Sequence, residues 1–546
     1  MCFGFQGVRV MSMFGDYKAY KKYEPAYQSW KSERDILNAK RVEYLKKNPE
    51  KINKDDIKRG ETLIRAIDIM DEYSQNYAEN MEVATEAVSG LALEGALFGG
   101  VALGGLVSMM KPVRNYLKKF SGGGKSQWAF QIIPMAAGAL IGTIASFPIN
   151  AWAAKAEVSA SRKGRFEAMR KELQNPNGFA VLTEAQIKEA QENAKSIKLP
   201  EDKKNSIKGL KKSINTVKNM AVDSNEYKKQ RKMFEYELEE SERHLNDSMS
   251  EQEILEAQKD KQLLTKLVEK IDIASQDYAE NTELACTAVN YGFLGAGALF
   301  TMGLNKLLNA MKVKSAGKIT KISAIASFTA PVILSMMYAK VQKQASRVGR
   351  FMMKQELMKN PEQLVYVSDE DASKIADVSV NKDKKQNIFK FLVDAWKNNK
   401  KYEKYQKTQG KVEKKFYKAV ETLELSPEQI KRAKQLQTNT FRTFNKVDEN
   451  SQKYSESVEA LGKSLSYPLI MGLTTLGSIV MGMIMMKKPK KPVDDTIRVI
   501  QAVAANILCL SPMVLVEAKI TKEQKRASRI ADMQAIKELD DYRLFK

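Results

Sequence analysis

Ser275-Gln276-Asp277-Tyr278-Ala279-Glu280-Asn281 is the stretch on which the reading of this chain turns. Ser74-Gln75-Asn76-Tyr77-Ala78-Glu79-Asn80 and Ser451-Gln452-Lys453-Tyr454-Ser455-Glu456-Ser457 repeat it. A further glutamate follows each copy (Glu82, Glu283, Glu459), and then a long apolar segment begins. Recurrence at roughly 175–200 residues is far longer than a solenoid repeat, so it points to triplication of a domain-sized unit.

Outward from the motif, each copy is preceded by a helix start. Asn53 with Asp56 opens a helix toward Tyr77, Ser250-Glu251-Gln252-Glu253 is a capping box, and Ser426-Pro427-Glu428-Gln429 adds proline at the first helical position. A charged helix from Trp30 to Lys47 comes earlier and stops at Asn48-Pro49. Beyond the motif, paired apolar segments are separated by basic turns. They lie at 88–110 and 127–154, at 284–305 and 322–339, and at 464–486 and 499–516. A second signature ends the returning segment: Ala160-Ser161-Arg162-Lys163-Gly164-Arg165-Phe166 matches Ala345-Ser346-Arg347-Val348-Gly349-Arg350-Phe351, and the third copy keeps Ala527-Ser528-Arg529. Asn175-Pro176 and Asn360-Pro361 break the chain at equal distances beyond.

The apolar segments have the length a bilayer requires. Trp128 and Trp152 stand about 36 Å apart on a helix, where an aromatic belt would sit. Gly95, Gly99, Gly100, Gly104, Gly138 and Gly142 supply small-residue spacings of the kind that let membrane helices approach. The sequence therefore predicts an all-α membrane protein of three homologous modules, each a transmembrane helical hairpin with soluble amphipathic helices, six spans in total. The modules follow an N-terminal segment, 1–29, and cover 30–222, 223–398 and 399–546. The predicted localisation is an integral membrane protein of a bacterial inner membrane, its soluble regions cytoplasmic.

Net charge is +23, from 89 basic and 66 acidic residues. That excess favours anionic partners, here a bilayer with anionic head groups, with a protein partner possible on the soluble helices. Basic residues are diluted by acids and do not alternate with aromatics, so no nucleic acid is expected. Three cysteines and one histidine, His244, leave no disulfide framework, no zinc site and no histidine-based triad. No cofactor or catalytic residue is expected. Ser121-Gly122-Gly123-Gly124-Lys125-Ser126 lacks the first glycine of a phosphate-binding loop, because Lys119 stands there. Glu94 has no counterpart in the other copies, where Gly295 and Ile470 stand.

The repeated motif is the candidate site. Gln75, Tyr77 and Glu79, with Gln276, Tyr278 and Glu280 and with Gln452, Tyr454 and Glu456, recur at helical spacing. Arg162, Arg347 and Arg529 of the second signature are the expected partners of Glu79, Glu280 and Glu456, as three equivalent clamps. Three two-span repeats resemble the mitochondrial carriers in topology alone. The carriers' Pro-x-Asp/Glu-x-x-Lys/Arg motif is absent after Pro148, Pro331 and Pro512. The expected function is a non-enzymatic scaffold or membrane-organising protein. Its alternatives are a channel or transporter with a pseudo-threefold pathway, and a soluble or secreted protein with membrane-inserting hairpins.

Overall fold

In a computed structural model of the chain, the residues described are 29–71, 147–199, 210–310, 344–376 and 388–448, with a few single positions besides; side chains are not described over parts of 147–161, 210–228 and 284–310. Among the described residues every regular element is a helix and none is a strand. They are α1 (29–47), α2 (54–71), α3 (Phe147–Glu172), α4 (Glu184–Ser196), α5 (Leu210–Asp247) and α6 (Glu251–Ala310). There follow α7 (344–359), α8 (Asp369–Ser373), α9 (Ile388–Lys407), α10 (Gln409–Val420) and α11 (427–448). The long helices α5 and α9 run unbroken across positions 222–223 and 398–399.

Local chemistry sets the starts. Asn53 Oδ1 accepts from the Asp55 backbone N–H at the head of α2. Ser250 and Glu253 exchange reciprocal bonds at the head of α6, and Ser426 and Gln429 do the same for α11. Asn48-Pro49, Asn175-Pro176 and Asn360-Pro361 each open a short 3-10 turn in place of a continued α-helix, with proline fixing the backbone. Eight residues beyond Asn175 and Asn360, Thr183 and Ser368 cap α4 and α8.

One core joins these elements. It gathers Leu63, Ile67 and Met70 of α2, Leu264, Leu267 and Ile271 of α6, and Phe441 and Phe444 of α11. The helices α2, α6 and α11 are the ones that lead into the three motif copies. The phenylalanine closing each full second signature docks on the next helical region. Phe166 meets Tyr227 and Phe234 of α5 edge-on, and Phe351 packs on Tyr402 and Tyr405 of α9. Cys286, the free thiol among the described residues, is buried, and burial pushes it up to about 12.

The predicted membrane localisation is corrected by the helices. Among the described residues no helix is long and apolar enough to cross a membrane. Helix α6, at 60 residues, is about 90 Å long, but charge runs along it from Glu251 to Glu283. Helix α3 meets Lys155 and Glu157 within its first turns and stays charged to Glu172. Each such charge at the centre of a bilayer would cost about 2.5–3.5 kcal/mol on insertion scales. The predicted segments 88–110, 322–339, 464–486 and 499–516, and most of 127–154, lie outside the described residues. The segment 284–305 is the distal part of α6.

Candidate functional site

Asp71, Asp272 and Asp448 each stand three residues before a motif serine: Ser74, Ser275 and Ser451. They close the apolar faces of α2, α6 and α11, so packing those faces together brings the three carboxylates to one place. Two arginines of the second signature meet them. Arg165 reaches Asp448 at 2.6 Å and Asp71 at 3.2 Å. Arg350 pairs with Asp71 and reaches Asp272 at 3.1 Å. Asp71 is thus shared by both guanidiniums, and the guanidinium of Arg165 also lies 5.2 Å from the ring of Phe444.

The cluster is dry. The side chain of Asp448 is 2% exposed and that of Arg165 9%. Burial disfavours the charged form of Arg165, but Asp448, Asp71 and Asp272 outweigh it and hold its pKa above the ordinary value. For Asp272 burial is the larger influence. It pushes the carboxyl up, and the opposing pull of Arg350 and Arg165 does not restore it. Three carboxylates against two guanidiniums leave a formal charge of −1. Arg165 Nε, Arg350 Nε and Asp448 Oδ2 are buried without a hydrogen-bond partner.

A second, partly buried network lies beside it. Lys354, one turn beyond Arg350, pairs with Asp68 and reaches Glu413 at 3.0 Å. Tyr417 donates to Asp68 at 3.1 Å, and Tyr405 donates to Glu413 at 2.5 Å. Burial opposes the Lys354 charge, but Asp68, Tyr417, Tyr405 and Glu413 together outweigh it and hold the ammonium well above its usual range. Every partner here is protein, so the network joins α2, α7, α9 and α10.

The expected clamp residues fall as follows. Gln75, Tyr77, Glu79, Gln452, Tyr454, Glu456 and Arg529 lie outside the described residues. Gln276, Tyr278 and Glu280 are on α6, and Glu280 is buried. Tyr278 packs against Phe391, with ring centroids 6.1 Å apart. The structure does bring the second motif beside the second signature. Ser275 Oγ donates to the Ser346 carbonyl at 2.9 Å, and a Cβ added at Gly349 would lie 2.8 Å from Ser275 Cα. Arg162 is buried near Tyr227, and burial lowers Arg347.

The geometry joins Asp272 with Arg350; Asp272 stands eight residues before Glu280, and Arg350 three residues after Arg347. A signal was available. Aspartate precedes all three motif serines at the same distance, and arginine follows Arg162 and Arg347 at the same distance. The third copy has Asp532 at that position, outside the described residues. Among the described residues no group of histidine, cysteine or carboxylate side chains has the arrangement of a metal site. Comparison with protein-family models, curated proteins and solved structures gave no match.

Proposed function

We propose that the chain is a non-enzymatic helical scaffold in which three copies of one unit are locked around a common ionic hub. The observation that carries this reading is the shared Asp71. Arg165 and Arg350, from the first and second signatures, converge on it while each also holds the aspartate of another copy. A buried charge network tolerates little displacement, because removing one partner strands another in low dielectric. Such a hub fixes the relative placement of the helices that carry it. The chemistry supports holding rather than turnover: the buried ionisable groups described above are engaged with one another. The net charge of +23 suits an acidic protein partner docking on the outer helical faces.

Scanning calorimetry of the full chain tests the reading. One cooperative transition, shifted as a whole by Arg165→Met, is expected. Separate transitions, of which Arg165→Met moves only one, would show that the copies are independent and that the hub does not organise them.

A further inference from the structure

Between α1, α6 and the turn after α7 lies a cavity of about 30 Å³. On the same measure a water takes about 10–15 Å³, so the space suits two waters or one small ion. Its walls combine apolar side chains such as Leu45 and Leu267 with three cations. Arg41, Lys266 and Lys270 line it, with Asn38, Glu362 and Gln363. Asp369, close by, is engaged by Arg41 at 2.6 Å and by Lys266 at 3.2 Å. That double contact holds the Asp369 carboxyl down at about 2 although burial acts the other way. Asp369 and Glu362 stand against these cations at the cavity, and Glu356 and Glu269 act on Lys270 from further off.

Two donors are left poorly served. Lys270 Nζ donates to the neutral Gln363 Oε1 at 2.8 Å, and among the described residues no carboxylate lies within ion-pair distance of it. Burial pushes the Lys270 ammonium below its usual value, the signature of a charge lacking a close counterion. Arg41 is 8% exposed, and its Nη1 and Nη2 are bonded to Asn38 and Asp369. Its Nε is buried with no partner. An unmade bond at a buried charged donor is costly, and an anion in the cavity would remove that cost.

We propose that this cavity binds a small inorganic anion of about chloride size, held by Lys270 and Arg41. The volume suits a small anion, and the two donors come from separate elements, α6 and α1. Binding would therefore join the first helical region to the second.

The test uses the full chain at constant ionic strength, with sodium chloride exchanged for sodium gluconate, whose anion is too bulky for the space. Chloride should raise Tm in a saturable way, and Lys270→Met should lose that rise. Equal Tm in the two salts, or the same chloride response in Lys270→Met, would overturn the proposal. Crystals grown in sodium bromide give a readout that needs no variant. An anomalous peak within hydrogen-bond distance of Lys270 Nζ and Arg41 Nε is expected. Bromide at surface positions alone, an adventitious ion only, would overturn it.

Discussion

Among the described residues, two of the three seams between the motif-bearing helices are filled by a wedge, and the third shows none. Between α2 and α11 the wedge is the turn Pro176–Phe179 with the residues that follow. Phe179 meets Phe441 edge-on at 5.5 Å, and Asn177 donates to the Glu421 and Leu423 carbonyls. Between α2 and α6 the wedge is Pro361–Leu364, whose Leu364 presses against Gly60. Between α6 and α11 side chains meet directly. Arg432 reaches Glu256 at 2.8 Å and Asp260 at 3.8 Å, and Lys431 donates to the Ser248 carbonyl at 2.7 Å. The third copy has no counterpart of the Asn-Pro break, and its seam is held by ion pairs, to which Arg59 of α2 adds contacts with Glu256 and Asp260.

The same contrast appears in one residue of each helix. Arg65, Lys266 and Arg442 each stand six residues before the hub aspartate. Arg65 donates to the Gly178 and Ala180 carbonyls, and Lys266 donates to the Val367 carbonyl. Arg442 turns instead to Glu235, Glu239 and Glu242 of α5. Beside a wedge the basic side chain at that phase reaches a backbone carbonyl, with Lys266 also pairing with Asp369, whereas Arg442 reaches carboxylates. The lesson is that equal helical phase does not fix the partner; the neighbouring segment does.

The charged seam should respond most strongly to pH. Burial pushes Asp260 up to about 6, although Arg59 and Arg432 pull the other way. A folded-state value above the unfolded one means that this group's contribution is fully present below about pH 4 and is lost as pH rises through 6. Across that window stability should fall by about 1–3 kcal/mol on account of Asp260. Asp260→Asn should flatten the slope and leave the protein no less stable at pH 7. Urea unfolding between pH 4 and 7 measures this, and an unchanged slope in the variant would show that the pair interactions override burial.

The wedged seams should respond to volume. A Cβ added at Gly60 would lie 2.4 Å from Leu364 Cβ and 2.5 Å from the Leu364 carbonyl oxygen. The second of these is backbone and cannot turn aside. Gly60→Ala should cost about 1–3 kcal/mol through overpacking, despite the helix propensity that alanine adds. Truncating Leu364 to alanine in the same chain should not restore stability, because the carbonyl stays in place. Full rescue in a urea titration would mean that the wedge moves freely.

Comparing Arg65→Met with Arg442→Met sharpens the contrast. The first strands two carbonyls under the wedge, and an unsatisfied buried acceptor costs about 1–3 kcal/mol. Burial already lowers Arg65 to about 10, so this charge sits deep. Arg442 is 20% exposed and shares its acids with solvent, a setting nearer the 0–1 kcal/mol of surface pairs. The order of the two losses is the prediction. Equal losses would mean that the wedge contributes nothing special.

Much of this was legible before any coordinates. Helix starts at Asn53, Ser250 and Ser426 and breaks at Asn175-Pro176 and Asn360-Pro361 follow from local hydrogen bonding and the proline ring, which need no tertiary context. The hub was harder to see. Asp71, Asp272 and Asp448 are single acids among 66 on a chain of amphipathic helices, and only the packing of three separated segments removes them from water. Length and apolarity also misled. A run such as 284–305 has the length of a span, but an apolar run alone does not distinguish a bilayer from a protein interior. Its helix begins as a charged, partly buried element of the core.

The smallest effect belongs to the caps. Ser250 and Ser426 precede their motif serines by the same interval, and each exchanges bonds with the third helical residue, Glu253 or Gln429. They differ in what that residue also touches. Gln429 Nε2 donates to the Val181 carbonyl and to Gln186 Oε1, itself the capping partner of Thr183. Glu253 carries a carboxylate whose pKa is lowered by the Ser250 backbone and side chain and which also receives Lys431 at 3.4 Å. Replacing either serine by alanine should cost about 1 kcal/mol, the usual value of a lost cap. The Ser426 variant should lose more, because a loosened Gln429 also loosens the wedge that it holds through Val181. If hydrogen exchange at the head of α4 is unchanged in Ser426→Ala, the two caps are not coupled, and the wedge is held by its apolar contacts alone.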